Sequence, residues 1–292
     1  MKAEKKQVGT KAEIRAIKER ERRLATALFL ALILLIAALS VYFSYTFLNQ
    51  PQNQTSNQTT NPTSSQLKAA IVDQLSLTLP NQTFIQTATN TLKQAGYTVD
   101  YYSGENVTVE FYRNLPTYGY RIIILRVHSS ITQGEKSLGL FTSERYDSGR
   151  YVYEQLTNRL LEAVYSEEER NNGIIYFAIS PTFVTQSMNG RFNNATIIMM
   201  GCEGLTYTAM AEGFHQKGAK VYISWSGSVS ASHTDTAITH LLQHYLIEER
   251  TLKESVQETF KEVGFDPAYN SLLIYYPLEV GEQTIENINN GS

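Results

Sequence analysis

Two residues of this 292-residue chain can do covalent chemistry together, and each follows an apolar run. Cys202 is the single cysteine. A thiol becomes a strong nucleophile when its pKa is lowered and it ionises. The run Ala195–Met200 reads as a buried strand ending at Gly201-Cys202, and residues 204–217 read as the helix that follows. The unpaired N–H groups of a helix start favour negative charge on such a sulfur. Gly201 and Gly204 add little bulk beside it, which is expected to leave space for a substrate carbonyl. His128 directly follows a second apolar run, Tyr120–Val127. An imidazole at the end of a neighbouring strand can pass a proton to a leaving amine, an assistance worth about 10²–10⁴-fold in rate. Backbone N–H groups at the same strand ends can bind a developing oxyanion. The plain alternative is a buried cysteine acting as a small hydrophobe. One cysteine excludes an intrachain disulfide framework and a Cys-rich zinc site.

Positioning the pair requires an alternation of strands and helices, and the chain supplies one. Strands are expected at Ala69–Leu75, Thr98–Tyr102, Tyr120–Val127, Ile174–Ile179, Ala195–Met200, Ala219–Trp225 and Ser271–Tyr276, with a hairpin edge at Ser137–Thr142. Helices are expected at 82–95, 150–165, 204–217, 234–249 and 251–263, while 105–115 reads as a helix or short crossover. Gly96 supplies the stop after the first helix. Apolar strands alternating with helices predict an α/β fold, a mostly parallel sheet with helices on both faces. Ligands of such sheets bind beyond the carboxyl ends of the strands, where His128 and Cys202 both fall.

Other constellations carry less. His240 and His244 stand four apart on an expected helix, a metal-gripping spacing, but the sequence marks no third ligand and lacks the Glu of a zincin motif. His215 and His233 show no partner. Ser224-Trp225-Ser226-Gly227 lacks the first glycine of a serine hydrolase elbow, and Met200-Gly201-Cys202-Glu203-Gly204 misses the cysteine version by the same residue. No phosphate-cradling G-x-x-x-x-G-K-[ST] run occurs.

The chain is 18% charged and 42% hydrophobic, with a formal net charge of -3. Residues 1–23 form a basic tail with nine basic against four acidic side chains, so the remainder is more acidic than the total implies. That distribution speaks against a nucleic-acid partner. Residues 24–48 contain no charge and, at about 1.5 Å per residue, reach across a ~30 Å hydrocarbon core. With the basic flank on the N-terminal side, the expectation is a single transmembrane helix acting as a retained signal anchor. The tail then lies in the cytoplasm and the rest outside the cell membrane. The uncharged run is longer than the ~7–15 residues usual in a cleaved signal peptide. Residues 49–66 are polar and uncharged and read as a stalk, leaving 67–292 as the extracytoplasmic domain. N-x-S/T acceptors at Asn53, Asn57, Asn81, Asn106, Asn194 and Asn290 make a glycoprotein plausible.

The order strand–His128-Ser129, strand–Gly201-Cys202-Glu203, then Gly218-Ala219-Lys220-Val221-Tyr222-Ile223-Ser224-Trp225 resembles the caspase-like fold of clan CD cysteine peptidases. That group takes in caspases, gingipains, clostripain, legumain, separase and the CHAT domains, and Ile197–Gly264 is most similar to a CHAT-type C-terminal half. The resemblance spans roughly 67–278 and implies a flavodoxin-like strand order. It implies His128 as base and acid, Cys202 as nucleophile, and the N–H groups of Ser129 and Cys202 as oxyanion donors. The loop Ser224–Ser232, with Ser224, Trp225 and Ser226, would help form the substrate pocket. That loop has no cation for an acidic substrate, whereas Glu203, Asp235 or Asp147 would suit a basic one. Where the family has glycine after the histidine, this chain has Ser129. The implied activity is cleavage of peptide or protein substrates through a thioester acyl-enzyme, with neither metal nor organic cofactor. Its rival is a catalytically silent copy of the fold serving as a surface binding or sensing module. Oligomeric state is left open.

Overall fold

In the computed structural model, which describes residues 67–132 and 136–291, the apolar runs become strands paired edge to edge. The strands are β1 (Lys68–Asp73), β2 (Thr98–Ser103), β3 (Ile122–Arg126), β4 (Ser129–Thr132), β5 (Ser137–Arg145), β6 (Leu160–Ala163), β7 (Tyr176–Ile179), β8 (Ala195–Met199), β9 (Ala219–Trp225) and β10 (Leu273–Tyr276). The α-helices are α1 (Gln82–Gln94), α2 (Val109–Asn114), α3 (Val152–Leu156), α4 (Glu167–Asn171), α5 (Pro181–Gln186), α6 (Ala209–Gln216), α7 (Ala231–Leu242), α8 (Leu252–Val263) and α9 (Ile285–Asn290). All of these belong to one unit, Ser64–Ser292.

Six strands form the main sheet in the order β10-β9-β8-β3-β1-β2. Five of them are parallel and β10 runs antiparallel to β9. The period-two alternation of side chains splits each central strand between two cores. Ala70, Val72, Ile123, Leu125, Ile197 and Met199 pack with α2, α5 and α6 on one face. Ala69, Ile71, Ile122, Ile124, Ile198 and Ile223 pack with α1, α7, α8 and α9 on the other. Burial on both faces is why these strands are apolar at nearly every position. The strand order reverses between β1 and β3, which places a crevice at their carboxyl ends.

Between β3 and β8 the chain builds a second, antiparallel sheet in the order β4-β5-β7-β6. Here the observed fold departs from expectation. The strand expected at Ile174–Ile179 forms, but in this second sheet rather than the main one. The helix expected over 150–165 is only α3, followed by β6. Asn158 takes a left-handed φ of 53° that ends the helical path before Leu160. The helix expected over 204–217 starts at Ala209, and the residues before it form turns.

The expected tail, transmembrane helix and stalk lie outside the described residues. Among the described residues no helix is long and apolar enough to cross a membrane. Of the glycan acceptors described, Asn106 and Asn290 are exposed. Asn81 uses its side chain to cap α1 and to donate to Asp235 at 2.9 Å.

Candidate functional site

Parallel pairing sets the two chemical residues side by side in register. Leu125 of β3 pairs with Met199 of β8, and His128 and Cys202 each lie three residues further on. Ser129 then joins the two segments, its Oγ donating to the Cys202 carbonyl at 2.6 Å. Both His128 and Cys202 are half-buried. A Cβ at Gly201 would strike the Val127 carbonyl and the Ser129 hydroxyl, and one at Gly204 would strike Ser224 and Met199. These glycines therefore permit close packing of the protein on itself. The space beside Cys202 that they were expected to leave for substrate is filled.

The thiol is held by the loop before α7. Sγ donates to the Val229 carbonyl at 3.6 Å, and the Val229 N–H donates to Sγ at 3.5 Å. Burial pushes the Cys202 thiol up, the Val229 N–H pulls it back, and the Glu203 carboxylate adds to the rise. The expected help from a helix start is missing, because α6 begins at Ala209. Glu203 takes a left-handed φ of 62°, and its carboxylate is tied down by the Ser228 and Thr206 hydroxyls. A non-glycine residue in this region is strained, a feature concentrated at working sites.

His128 is held at its backbone and at its ring. Its N–H donates to Gln74 Oε1 at 3.0 Å, and Nε2 is hydrogen-bonded to Thr78 Oγ1 at 3.1 Å. The ring packs against Tyr165 at 4.6 Å and Phe141 at 6.1 Å between centroids. Burial first, and the Arg126 guanidinium second, push the imidazole down to about 4. At neutral pH it is an uncharged base.

The oxyanion donors expected at Ser129 and Cys202 have suitable backbone. Phe141 donates to the His128 carbonyl in the pair next to Ser129–Leu140. Antiparallel alternation then turns the Ser129 N–H away from β5, toward the free edge of β4. Among the described residues the Cys202 N–H has no hydrogen-bond partner. Ser129 has no left-handed φ, so its backbone does not require the glycine of the family pattern.

The expected pocket residues mostly turn inward. Trp225 is fully buried and donates from Nε1 to Thr234 at 2.9 Å, so it is core rather than pocket wall. Ser224 is buried with its hydroxyl on the Met199 carbonyl, and Ser226 Oγ accepts from the Leu272 N–H. Asp235 is also buried and grips Arg126 through both oxygens, at 2.8 and 2.9 Å. It is therefore not placed to meet a substrate cation. Of the five, only Glu203 and Ser226 are partly exposed. Asp147 caps its own turn at Gly149.

Sequence reasoning missed Arg126, which also holds Asp73 at 2.8 Å and the Leu79 carbonyl at 2.8 Å. The signal was there. Asp73 and Arg126 close the apolar runs of β1 and β3, and the two pair in register. Gln74, Thr78 and Tyr165, which surround His128, come from segments that carry no motif.

No protein-family model matches this chain, and no curated protein matches it.

Proposed function

We propose that residues 67–292 form a caspase-like cysteine peptidase domain of the clan CD kind, anchored by residues 24–48 and facing outward. The observation that carries this reading is the placement of His128 and Cys202 at equivalent positions beyond adjacent parallel strands, with Ser129 bridging them. The strand order 2-1-3 followed by two further parallel strands agrees with the flavodoxin-like topology that the resemblance implies.

The chemistry starts from a neutral pair, since the thiol is protonated and the imidazole uncharged. His128 takes the thiol proton as sulfur attacks the scissile carbonyl, and the oxyanion forms against the N–H groups of Ser129 and Cys202. Collapse breaks the C–N bond, the imidazolium gives its proton to the departing amine, and a thioester remains. Water, deprotonated by His128, then hydrolyses the thioester and restores the thiol. For this to begin, Sγ must leave Val229 and the imidazole must leave Thr78, so the arrangement described is a resting one. Of the expected pocket residues, Glu203, which follows the nucleophile in the chain, and Ser226 are partly exposed and open to a substrate side chain.

The same three hydrogen bonds, two to Val229 and one to Thr78, favour the second reading, a silent surface binding or sensing module. Incubating the full chain with a mixed peptide library, beside Cys202→Ala and His128→Ala, separates the two. The peptidase reading expects cleavage lost in both variants. Folded protein that neither cleaves peptides nor alkylates at Cys202 supports the silent module.

A further inference from the structure

We propose that His240, His244 and Glu262 form a binding site for a zinc-like divalent ion that clips the end of α7 to α8. The site is independent of the peptidase reading. The two histidines lie on the α7 segment and its continuation, and the third donor, absent from the sequence pattern, arrives from α8. One donor atom from each of the three residues falls within 4.8 Å of the others. His240 Nδ1 is 2.5 Å from Glu262 Oε2, and His244 Nε2 is 3.1 Å from the same oxygen. Ligand atoms around a tetrahedral zinc, each about 2.0–2.2 Å from the metal, lie roughly 3.3 Å apart. The His240 and Glu262 side chains are 41% and 42% exposed, so they can turn to meet that geometry.

His244 is the fixed member. It is buried, and its Nδ1 is 3.0 Å from Glu248 Oε2, which leaves Nε2 aimed at Glu262. Arg250 steadies Glu248 at 2.8 Å. A carboxylate on the far nitrogen of an imidazole is the usual way a metal-bound histidine is oriented. His244 also lies in a π-turn, Gln243–Ile247, that widens the helix after Leu242, and such turns accompany functional sites. Glu248, Glu258 and Glu262 outnumber Arg250 and Lys261 around the cluster, so the local charge still favours a cation.

Two imidazole nitrogens and one carboxylate suit zinc, whereas calcium and magnesium prefer oxygen donors throughout. A fourth position remains for water. Counting along the helix from Ala231, the histidines are roughly 14–20 Å from the end that carries Val229 to Cys202. The ion therefore acts on the helix pair and not on the thiol.

The test is calorimetric titration of zinc into the chelator-stripped full chain, with Cys202→Ala as the background so that the thiol takes no metal. Cobalt(II) absorption in the visible range reports coordination on the same samples. One zinc per chain is expected, with a raised Tm. Its affinity should fall at least about tenfold in His240→Ala and in Glu262→Gln, and by a comparable factor in Glu248→Gln. His240 and Glu262 are surface residues, so their variants keep the fold. Absence of saturable zinc binding, or affinity unchanged in both His240→Ala and Glu262→Gln, overturns the site.

Discussion

At Cys202 and His128 the environment decides reactivity more than residue type does. Burial and Glu203 raise the thiol, so iodoacetamide should modify Cys202 slowly at neutral pH and faster as pH rises. Glu203→Gln removes a like charge and should speed the reaction near pH 8. Mass spectrometry of timed samples reads both, and fast modification at pH 6 would contradict the resting state described. His128 gives a separate acid signature. The unfolded imidazole takes its proton below about 6.5, the folded one only near 4, so the unfolded chain holds more protons in that window. Stability should therefore fall as pH drops from 6.5 to 4, by up to about 3 kcal/mol at 1.36 kcal/mol per pKa unit. Denaturant midpoints at pH 7 and pH 4.5 should show a shallower loss in His128→Gln. An unchanged loss would assign the acid sensitivity elsewhere. The order of the two residues was legible because each ends an apolar run. Their partners Thr78 and Val229 were not, since a hydroxyl or a backbone carbonyl in a loop carries no pattern.

Among the elements, legibility followed the strength of a period and the presence of punctuation. The segment Gln82–Gln94 was readable because Phe84, Ile85, Ala88 and Leu92 keep one face buried, with Asn81 and Gly96 at its ends. Residues 150–165 misled because Val152, Leu156, Leu160 and Ala163 also keep a helical spacing. The turn through Asn158 uses a left-handed conformation that asparagine tolerates without announcing. The segment Leu252–Val263 starts with a full capping box, Thr251 Oγ1 accepting from Glu254 N–H while the Glu254 carboxylate accepts from Thr251 N–H. Thr251→Ala should cost about 1 kcal/mol, read as a lowered denaturant midpoint with the slope unchanged. Because Ser255 and Thr259 on the same helix are buried with their hydroxyls on backbone carbonyls, fraying should stop within the first turn. Amide exchange faster beyond Thr259 would show that the cap governs the whole helix.

At the scale of the described domain, two central strands and a helix are joined at a buried charge. Arg126 ends β3, Asp73 ends β1, and Asp235 lies on α7, so a single guanidinium ties two strands to a helix on one face of the sheet. Asn81 and Tyr101 complete the hydrogen bonding of the two carboxylates. A buried ion pair is weak evidence of net stabilisation, because desolvation offsets much of the attraction. Breaking it is another matter. Arg126→Met fills similar volume but leaves two carboxylates buried and unpaired, which should cost about 3–5 kcal/mol. The triple variant Arg126→Met, Asp73→Leu, Asp235→Leu removes every charge and should recover most of that loss, as fully apolar replacements often do. Urea midpoints for the wild type, the single and the triple variant decide between two roles for the cluster. Recovery in the triple variant means the charges set which strands and helix meet, and that packing supplies the stability. A triple variant as weak as the single one means the guanidinium itself holds the crevice end of the sheet together. Because the same charge pushes His128 down, the His128 imidazole should titrate closer to its ordinary range in the triple variant. NMR titration of the His128 ring reads that shift, and it links the architecture of the sheet to the basicity of the residue at its edge.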